Sequence, residues 1–521
     1  MKKNLKTYII EKYSKRLLVV ALGLLFIFYS TSIFSKVDFI KSFSRIGNLF
    51  YRMFPMDFSI VSEMSISLVS TINIALFASI FGLITTLVIL PFITNLLFDN
   101  KFIPQVFSAI LSVFRTLPAL IIASILVALF GVGEFSGFLA LYLISIFIST
   151  KILKEYAEEI DKKHLDSAKS QGFSLFNIYN LAILKNLKNK IYSVFFLTLE
   201  SNIRGASVLG LVGAGGIGQL LWKELNHLRY DRVSLIVLAL ILVIGIIDFI
   251  SYYFRNRTDI KLTGSSEFFR LKNKKYVLSV LILLTSIIYS VNILNISQDR
   301  ISKGLTNIGV MLKGMLHPDM TYFDKSIAAL ADSLLVASAA SFFASLSAII
   351  FTYFAVAKIS NKYYANVSKI IINIFRTVPP IIVVIIFFRG FGPGMISSFF
   401  ALYFYTFGLT SKMFAEVLEE IQDNILFSTK SMGISSFIAY MKVIFKGNLV
   451  EFISIVLYRF EMNVKNSAIL GMVGVGGIGQ LIVNNVEFRN WDRLSILLII
   501  LSVTIIVIEN MSYYTRERIK K

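Results

Sequence analysis

Four basic side chains lie within stretches that are otherwise apolar, and they are the groups in this sequence best suited to binding chemistry. Arg115 lies in "FRTLP" and Arg376 in "FRTVP", whereas Arg204 lies in "ESNIRGAS" and Lys465 in "EMNVKNSA". Because an arginine at a bilayer centre costs roughly 2.5–3.5 kcal/mol on insertion scales, such residues are functional candidates. A guanidinium matches the geometry of a phosphate- or phosphonate-like oxyanion. We expect the four cations to surround one midplane cavity and form a weak, multi-point anion site.

Polar and proline neighbours accompany each cation. Glu200 precedes Arg204 by four residues, which places both on one helical face, and Glu461 precedes Lys465 in the same way. We expect these acids to pair with their cations, and Asp248 and Glu509 to pair with basic neighbours. A proline after each arginine predicts a bent or broken helix. The neighbours that complete the predicted translocation path are Thr116, Pro118, Asn202, Thr377, Pro379 and Asn463.

Two glycine runs, "LGLVGAGGIG" at 209–218 and "LGMVGVGGIG" at 470–479, suggest a second kind of chemistry. Their G-x-G-x-x-G spacing binds dinucleotides when a strand precedes it within a βαβ unit. Long apolar helices surround both runs here, so we expect tight re-entrant turns, whose role is structural and for which a gating role stays open. The glycines of these turns are Gly213, Gly215, Gly216, Gly218, Gly474, Gly476, Gly477 and Gly479.

The composition indicates which elements must position these groups. The 521 residues are 56% hydrophobic and 16% charged, with a mean hydropathy of +0.74, which is typical of a polytopic membrane protein. The chain has no cysteine, which excludes thiolate sites, and its three scattered histidines argue against a histidine metal cluster. The net charge of +21 is concentrated in 1–16, 255–275 and 516–521, beside apolar stretches, as expected of cytoplasmic segments.

The chain is a tandem duplication. An offset of 261 places "FRTLP" on "FRTVP" and Gly172 on Gly433, and matches near 67 and 333 predict an offset of 266 closer to each start. The two halves, 1–254 and 276–521, are joined by a basic cytoplasmic linker at 255–275. Each half has six candidate membrane spans, near 17–34, 65–93, 103–131, 135–150, 191–211 and 233–254, and near 276–296, 328–357, 367–388, 391–411, 448–472 and 494–514.

An even number of spans gives both halves the same orientation, so they should be parallel repeats about an axis along the membrane normal. Both termini are then expected in the cytoplasm, and the fifth span of each half should run outward. The glycine runs at the ends of these spans should therefore lie near the outer face.

Polar loops, at about 151–189 and 412–447, separate the fourth and fifth spans of each half. Each holds "EEI", a short amphipathic helix and a small-residue patch that ends in glycine, "DSAKSQGFS" or "FSTKSMGIS". These loops resemble the EAA coupling loop of ABC importer permeases, although "DSA" and "FST" replace its acidic-Ala-Ala start. The resemblance implies ATPase coupling through Glu158, Glu159, Ser167, Ala168, Gly172, Glu419, Glu420, Ser428, Thr429 and Gly433.

Within that superfamily, E-x-N-[IV]-[RK], LG-x-VG-x-GGIGQL and FRT-[LV]-P are similar to motifs of the phosphonate-type permeases. The resemblance implies an all-α, MetI-like type I importer fold with twelve transmembrane helices, here two permease domains in one chain. It also implies two copies of a cytoplasmic ABC ATPase subunit and an extracellular or lipid-anchored solute-binding protein. Because the sequence contains no P-loop, we expect ATP and magnesium on the partner subunits, no cofactor on this chain and no enzymatic activity.

Other interpretations remain at this point. ABC permeases for methionine, glycine betaine or thiamine pyrophosphate share such a loop. A proton-coupled secondary carrier would use Asp248 or Glu200 as proton carrier, but it has no need of a duplicated coupling loop. A dinucleotide-dependent membrane enzyme would lose cofactor binding when Gly213 or Gly474 is replaced, and it is the least favoured.

Overall fold

A computed structural model describes residues 38–94, 96, 102–160, 170–258, 294, 296–377, 380–421, 423–431 and 433–520. The expected first span, nearly all of the seventh and the linker beyond Thr258 lie outside this set. Ser167, Ala168 and Pro379 also lie outside it, as do the side chains of Thr377 and Thr429.

Helices dominate the described residues, and no strand occurs among them, which confirms the all-α class. The first repeat contains α1 (Phe39–Met53), α2 (Val61–Ile93), α3 (Phe102–Thr116), α4 (Ala119–Phe130), α5 (Glu134–Glu158), α6 (Lys185–Leu209), α7 (Gly216–Asn226) and α8 (Tyr230–Thr258). The second contains α9 (Gln298–Met315), α10 (Phe323–Ala355), α11 (Lys362–Thr377), α12 (Pro380–Phe391), α13 (Met395–Glu419), α14 (Asp423–Ser431), α15 (Leu449–Leu470), α16 (Ile478–Glu487) and α17 (Trp491–Lys520).

Five of the described helices are long and apolar enough to span a membrane, and eight spans result if each sharply bent pair counts as one. The described part of the chain therefore establishes a multi-pass membrane protein but does not confirm the count of twelve.

The repeats superimpose with a different register near their starts from the one expected. Val61 and Phe323 begin the 33-residue helices α2 and α10, which corresponds to an offset of 262. Asp57 and Asp319, just before them, share this offset. The expected offset of 266 is wrong, and the repeats differ there by one residue instead of five. Alanine and serine recur so often on these helices that several registers give matching letters, whereas packing selects one.

A sharp bend separates α3 from α4, as the proline predicts. The two helices meet at 90°, and Pro118 lies immediately before α4 with an extended ψ of 142°. Proline disfavours a helical conformation in the residue before it and has no amide hydrogen to donate, so the helix ends near Thr116 and restarts. Arg115 is thereby placed at the corner, where the helix no longer satisfies all of its backbone groups.

The glycine runs interrupt a span and do not end it. The chain bends by 43° between α6 and α7, and it continues antiparallel to α2, because Asn202 contacts Ser79 whereas the later Lys223 contacts the earlier Glu63. The chain therefore continues in the same direction beyond the turns, whose position near the outer face stays a prediction. The left-handed glycines displace the axis of α7 from that of α6 without reversing the chain direction. Helix α7 therefore begins beside the last turn of α6.

The apolar core joins the two repeats. Ile382 and Ile385 of the second repeat pack in the main cluster of the first, beside Leu221 and Leu225, and Ile121 of the first repeat packs in the cluster formed by α16 and α17. Helix α1 also packs on α12, and α9 packs on α4. Each repeat therefore supplies part of its partner's core.

Candidate translocation path and coupling loops

Two of the predicted cations form salt bridges between the repeats. Arg115 Nη2 donates to Glu509 Oε1 at 3.2 Å, and Arg376 Nη2 donates to Asp248 Oδ2 at 2.9 Å. The arginines and the acids are twins under the 261-residue offset, so each repeat contributes one arginine and one acid. These symmetric bridges connect the C-terminal ends of α3 and α11 to helices α17 and α8.

The other two cations form the expected pairs within a helix, but their surroundings differ. Arg204 Nη2 donates to Glu200 Oε1 at 2.8 Å and to Asp248 Oδ1 at 2.9 Å. Its twin, Lys465, lies 3.4 Å from Glu461, and no second carboxylate of the described residues lies within salt-bridge distance of it. Asp248 therefore binds two arginines, one from each repeat.

These contacts neutralise the predicted cluster of cations. Four carboxylates, Glu200, Asp248, Glu461 and Glu509, match the four cations, so the set carries no net charge. Unpaired charges in a medium of low dielectric constant are strongly unfavourable, which explains why each cation has an acid beside it in this conformation.

Two cavities lie along α4, between the repeats. The first, of about 400 Å³, is lined by Glu200, Ser201 and Arg204 of the first repeat and by Tyr405 and Asn466 of the second. It also contacts the beginning of α4. Of the four predicted cations, Arg204 is the one among its lining residues, so this cavity is not surrounded by all four as expected.

The second cavity, of about 570 Å³, contacts the other end of α4. Its polar lining includes Lys303, Arg489 and Arg300, whose Nε donates to the carbonyl of Phe130 at 2.7 Å.

Apolar residues of both repeats line the two cavities near the glycine turns. Leu209 and Leu470, which immediately precede these turns, are both at most 2% exposed and line the first cavity, and Ile469 and Met472 pack against the cluster that contains Leu209. Leu211 and Met472 line the second cavity. Both repeats therefore contribute apolar side chains to this region.

The glycines allow the backbone conformation and the close packing of the two turns. Gly218 and Gly479 are helical, and a β-carbon on either would collide with the carbonyl of Ser207 or Ala468. The remaining predicted glycines have φ between +69° and +96°, a range that L side chains rarely adopt: Gly213, Gly215, Gly216, Gly474, Gly476 and Gly477.

The predicted asparagines lie away from the cavities. Asn202 and Asn463 are each 1% exposed. Asn202 Nδ2 donates to the hydroxyls of Ser79 at 2.8 Å and Ser145 at 2.6 Å, which joins α6 to α2 and α5. These amides hold helices together and do not line the path. Thr116 is also buried, and its hydroxyl donates to the carbonyl of Val113.

The predicted coupling loops expose both charged and apolar residues. Gly172 and Gly433 are exposed and left-handed, with φ of +73° and +66°. The nearby predicted acids are exposed as well: Glu158, Glu159, Glu419 and Glu420. In the first loop Phe176 is 72% exposed, and in the second Phe427, beside Ser428, is 67% exposed.

Each loop is attached to its repeat by a tyrosine in a π-helical turn. Tyr179 Oη donates to the carbonyl of Leu87 at 2.5 Å, and Tyr440 Oη donates to that of Ile349 at 2.6 Å. Burial raises the pKa of Tyr179 to about 12 and also raises the pKa of Tyr440. Both phenols therefore stay protonated at neutral pH and keep donating these hydrogen bonds.

Comparison with known proteins identifies the family. Residues 78–260 and 333–521 both match the family described as the binding-protein-dependent transport system inner membrane component. The chain belongs to this family. It contains two such permease domains, one in each repeat, and is an ABC importer permease of the type I fold, embedded in the membrane.

Several relatives of the permease are named for the transport of phosphorus compounds, and others for the transport of methionine or carnitine. The phosphate-import permease protein PhnE of Mycolicibacterium smegmatis is 26% identical over 417 residues, which is 79% of this chain and 77% of the relative. The phosphite transport system permease protein PtxC of Stutzerimonas stutzeri is 23% identical over 42% of this chain and 79% of its own length. A solved inward-facing MetNI methionine ABC transporter covers 39% of this chain and 100% of its own, at 18% identity and a TM-score of 0.36.

The permease also contains a duplicated ion pair that the sequence interpretation missed. Asp57 accepts from Arg232 Nε at 2.8 Å, and its twin Asp319 accepts from Arg493 Nε at 3.1 Å. Hydrogen bonds from the Ser59 hydroxyl and amide, and then from Arg232, lower the pKa of Asp57 to about 2. Both acids and both arginines occupy equivalent positions in the two repeats, and this repetition in the sequence could have indicated the pair.

Proposed function

We propose that this permease imports phosphonate, or a related phosphorus oxyanion, across the cell membrane of a bacterium. The observation that carries the proposal is the convergence of Arg204 and Arg376 on one carboxylate beside a cavity between the repeats. The names of the relatives, which refer to phosphate and phosphite, support the same class of solute.

A phosphorus oxyanion fits the path for two reasons. Guanidinium groups form charge-assisted hydrogen bonds with carboxylates and with phosphorus oxyanions alike, so a solute can replace an acid without changing the chemistry of the site. The paired acids also keep the binding of the solute weak, because the solute must displace them. Weak binding suits a translocation path, in which a tightly held solute would not leave. Thr116, Pro118 and the twin Thr377 and Pro379 would shape the corners that carry Arg115 and Arg376.

Energy would come from two copies of a separate cytoplasmic ABC ATPase subunit that binds ATP and magnesium. The exposed apolar side chains of the loops, Phe176 and Phe427, would dock on these subunits near Gly172 and Gly433. Tyr179 and Tyr440 would transmit the motion of the loops to α2 and α10. The apolar side chains at Leu209 and Leu470 would then move apart and open the path. The basic termini and linker support a cytoplasmic position for the loops and for both chain ends.

An extracellular or lipid-anchored solute-binding protein would deliver the solute at the opposite face. In this arrangement the cavity lined by Lys303 and Arg489 would open towards that protein, and the glycine turns would lie between the two cavities. Residues 1–254 and 276–521 would act as the two halves of the permease, joined by the basic linker.

Uptake into proteoliposomes tests the proposal. The chain is reconstituted with its ATPase and binding protein, and the uptake of methylphosphonate, phosphite and phosphate is compared with that of methionine, glycine betaine and thiamine pyrophosphate. We expect ATP-dependent uptake of a phosphorus compound, lost in the double variant Arg115→Ala, Arg376→Ala and retained in Lys223→Ala, a cation outside the path. Unchanged uptake in the correctly assembled double variant would contradict the proposal, and so would uptake that needs no ATPase and stops with a protonophore.

A further inference from the structure

The two sides of the path differ at one acid. On the first side, Asp248 Oδ1 accepts from Arg204 and Oδ2 accepts from Arg376, each at 2.9 Å. On the twin side, Glu509 accepts from Arg115, whereas Lys465 lies beside Glu461. Among the described residues, two guanidinium groups therefore converge on a single oxyanion at Asp248, and its twin position lacks this arrangement.

Both arginines at Asp248 retain a hydrogen-bond donor that is not used. The Nε atoms of Arg204 and Arg376 are buried, and neither has a hydrogen-bond partner in the part of the chain that the structure describes. A carboxylate has two oxygens, and both of those on Asp248 already accept. A phosphonate or phosphite group has three oxygens and phosphate has four, so each can accept from the two Nη2 atoms and from a further donor.

One residue of the site, Arg204, borders the cavity between the repeats. Arg204 lines the 400 Å³ cavity, together with Ser201, Tyr405 and Asn466, which supply further polar groups. The side chains of Asp248 and Arg376 are 12% and 21% exposed, so the acid is largely enclosed between its two arginines.

We infer that Arg204 and Arg376 form an oxyanion site for a phosphonate, phosphite or phosphate group, and that the Asp248 carboxylate occupies it when no solute is present. Asp248 is thus an internal competitor of the solute, and it sets the affinity of the path. When the solute displaces Asp248, one of the two salt bridges between the repeats is broken, and the Arg115–Glu509 bridge remains. The inference rests on the proposed function for the class of solute.

The duplication supplies a matched test, with binding measured on the full-length purified permease in nanodiscs by calorimetry. In Asp248→Asn, Arg376 loses its carboxylate partner and Arg204 keeps only Glu200. We expect methylphosphonate to bind about tenfold more tightly to this variant, as for a site that is free only about one-tenth of the time in the unaltered protein. Glu509→Gln releases Arg115 alone and should change the affinity less than about threefold. Adding Arg376→Gln to Asp248→Asn should abolish the gain.

Equal affinity in the Asp248→Asn variant and the unaltered protein would overturn the inference, as would an equal gain in Glu509→Gln. If Asp248→Asn does not assemble in chloride buffer, it is prepared with methylphosphonate. Assembly that depends on methylphosphonate supports the inference, and failure in both buffers counts against it.

The binding assay needs no ATPase and no binding protein, so it separates the two proposals. A permease that shows the gain in binding but never transports a phosphorus compound contradicts only the proposed function. A permease that transports the solute without any gain in Asp248→Asn contradicts only the role of Asp248.

Discussion

The salt bridge between Arg115 and Glu509 should contribute measurably to the association of the two repeats. Its atoms lie 3.2 Å apart, and the two side chains are 28% and 26% exposed. Coulomb's law gives about 5 kcal/mol at an effective dielectric constant of 20, and about 1.3 kcal/mol in water. Because the pair is partly exposed and its ions lose hydration, we expect a coupling free energy of about 1–3 kcal/mol.

A double-mutant cycle measures this coupling directly. Arg115→Gln, Glu509→Gln and the double variant are compared with the unaltered chain by the free energy of unfolding in mixed micelles. Each single variant leaves one partly buried charge without its partner, whereas the double variant leaves none. The double variant should therefore lose less free energy of unfolding than the sum of the losses in the two single variants.

The pair Lys223–Glu63 serves as the control. Its atoms are closer, at 2.8 Å, but its side chains are 50% and 51% exposed and belong to the same repeat. An exposed pair of this kind should couple by less than about 1 kcal/mol. If Lys223–Glu63 couples as strongly as Arg115–Glu509, or if the latter shows no coupling, then burial at the repeat interface does not determine the strength of these bridges.

The remaining predictions concern packing, a buried amide and acid stability. Gly218→Ala should destabilise the fold by about 1–3 kcal/mol in thermal unfolding, since its β-carbon would collide with a carbonyl of α6, whereas Gly245→Ala, which meets nothing within 4 Å, should have no such effect. Asn202→Ala removes two hydrogen bonds, worth about 0.6 kcal/mol each in a membrane protein, so unfolding should become easier by roughly 1–2 kcal/mol. Hydrogen bonds from Ser59 lower the pKa of Asp57 from 3.8 to about 2. The stabilising effect of its carboxylate is therefore complete above pH 3.8 and is lost as the pH falls through about 2. Asp57→Asn should lose this pH dependence in an acid titration of unfolding.

Local features of the path were predictable from the sequence because local chemistry determines them. Pro118 has no amide hydrogen to donate and disfavours a helical conformation at Leu117, and the 90° corner lies at this position. The pair of Glu200 and Arg204 follows from helical spacing alone. Gly213 adopts φ of +83°, a conformation that few other residues tolerate.

Long-range features could not be predicted in the same way. Arg115 and Glu509 are 394 positions apart, and no pattern in the sequence indicates which acid meets which cation. The fourfold charge balance of the path therefore became visible only when the helices were placed together. The direction of the chain beyond the glycine turns could not be predicted for a related reason, because α7 is recognisable as a continuation of α6 only from its contacts with α2.

The duplication itself helps to separate structural from specific roles. Positions that make equivalent contacts in both repeats, such as Asn202 and Asn463, which donate to twin serines, serve the fold that the two copies share. Positions that differ between the copies can give one side of the path contacts that the other side lacks. Arg204 and Lys465 are such a pair, and their different contacts concentrate two guanidinium groups on the Asp248 side. A path with one stronger and one weaker side offers a solute a preferred stop without a second site of equal affinity to retain it.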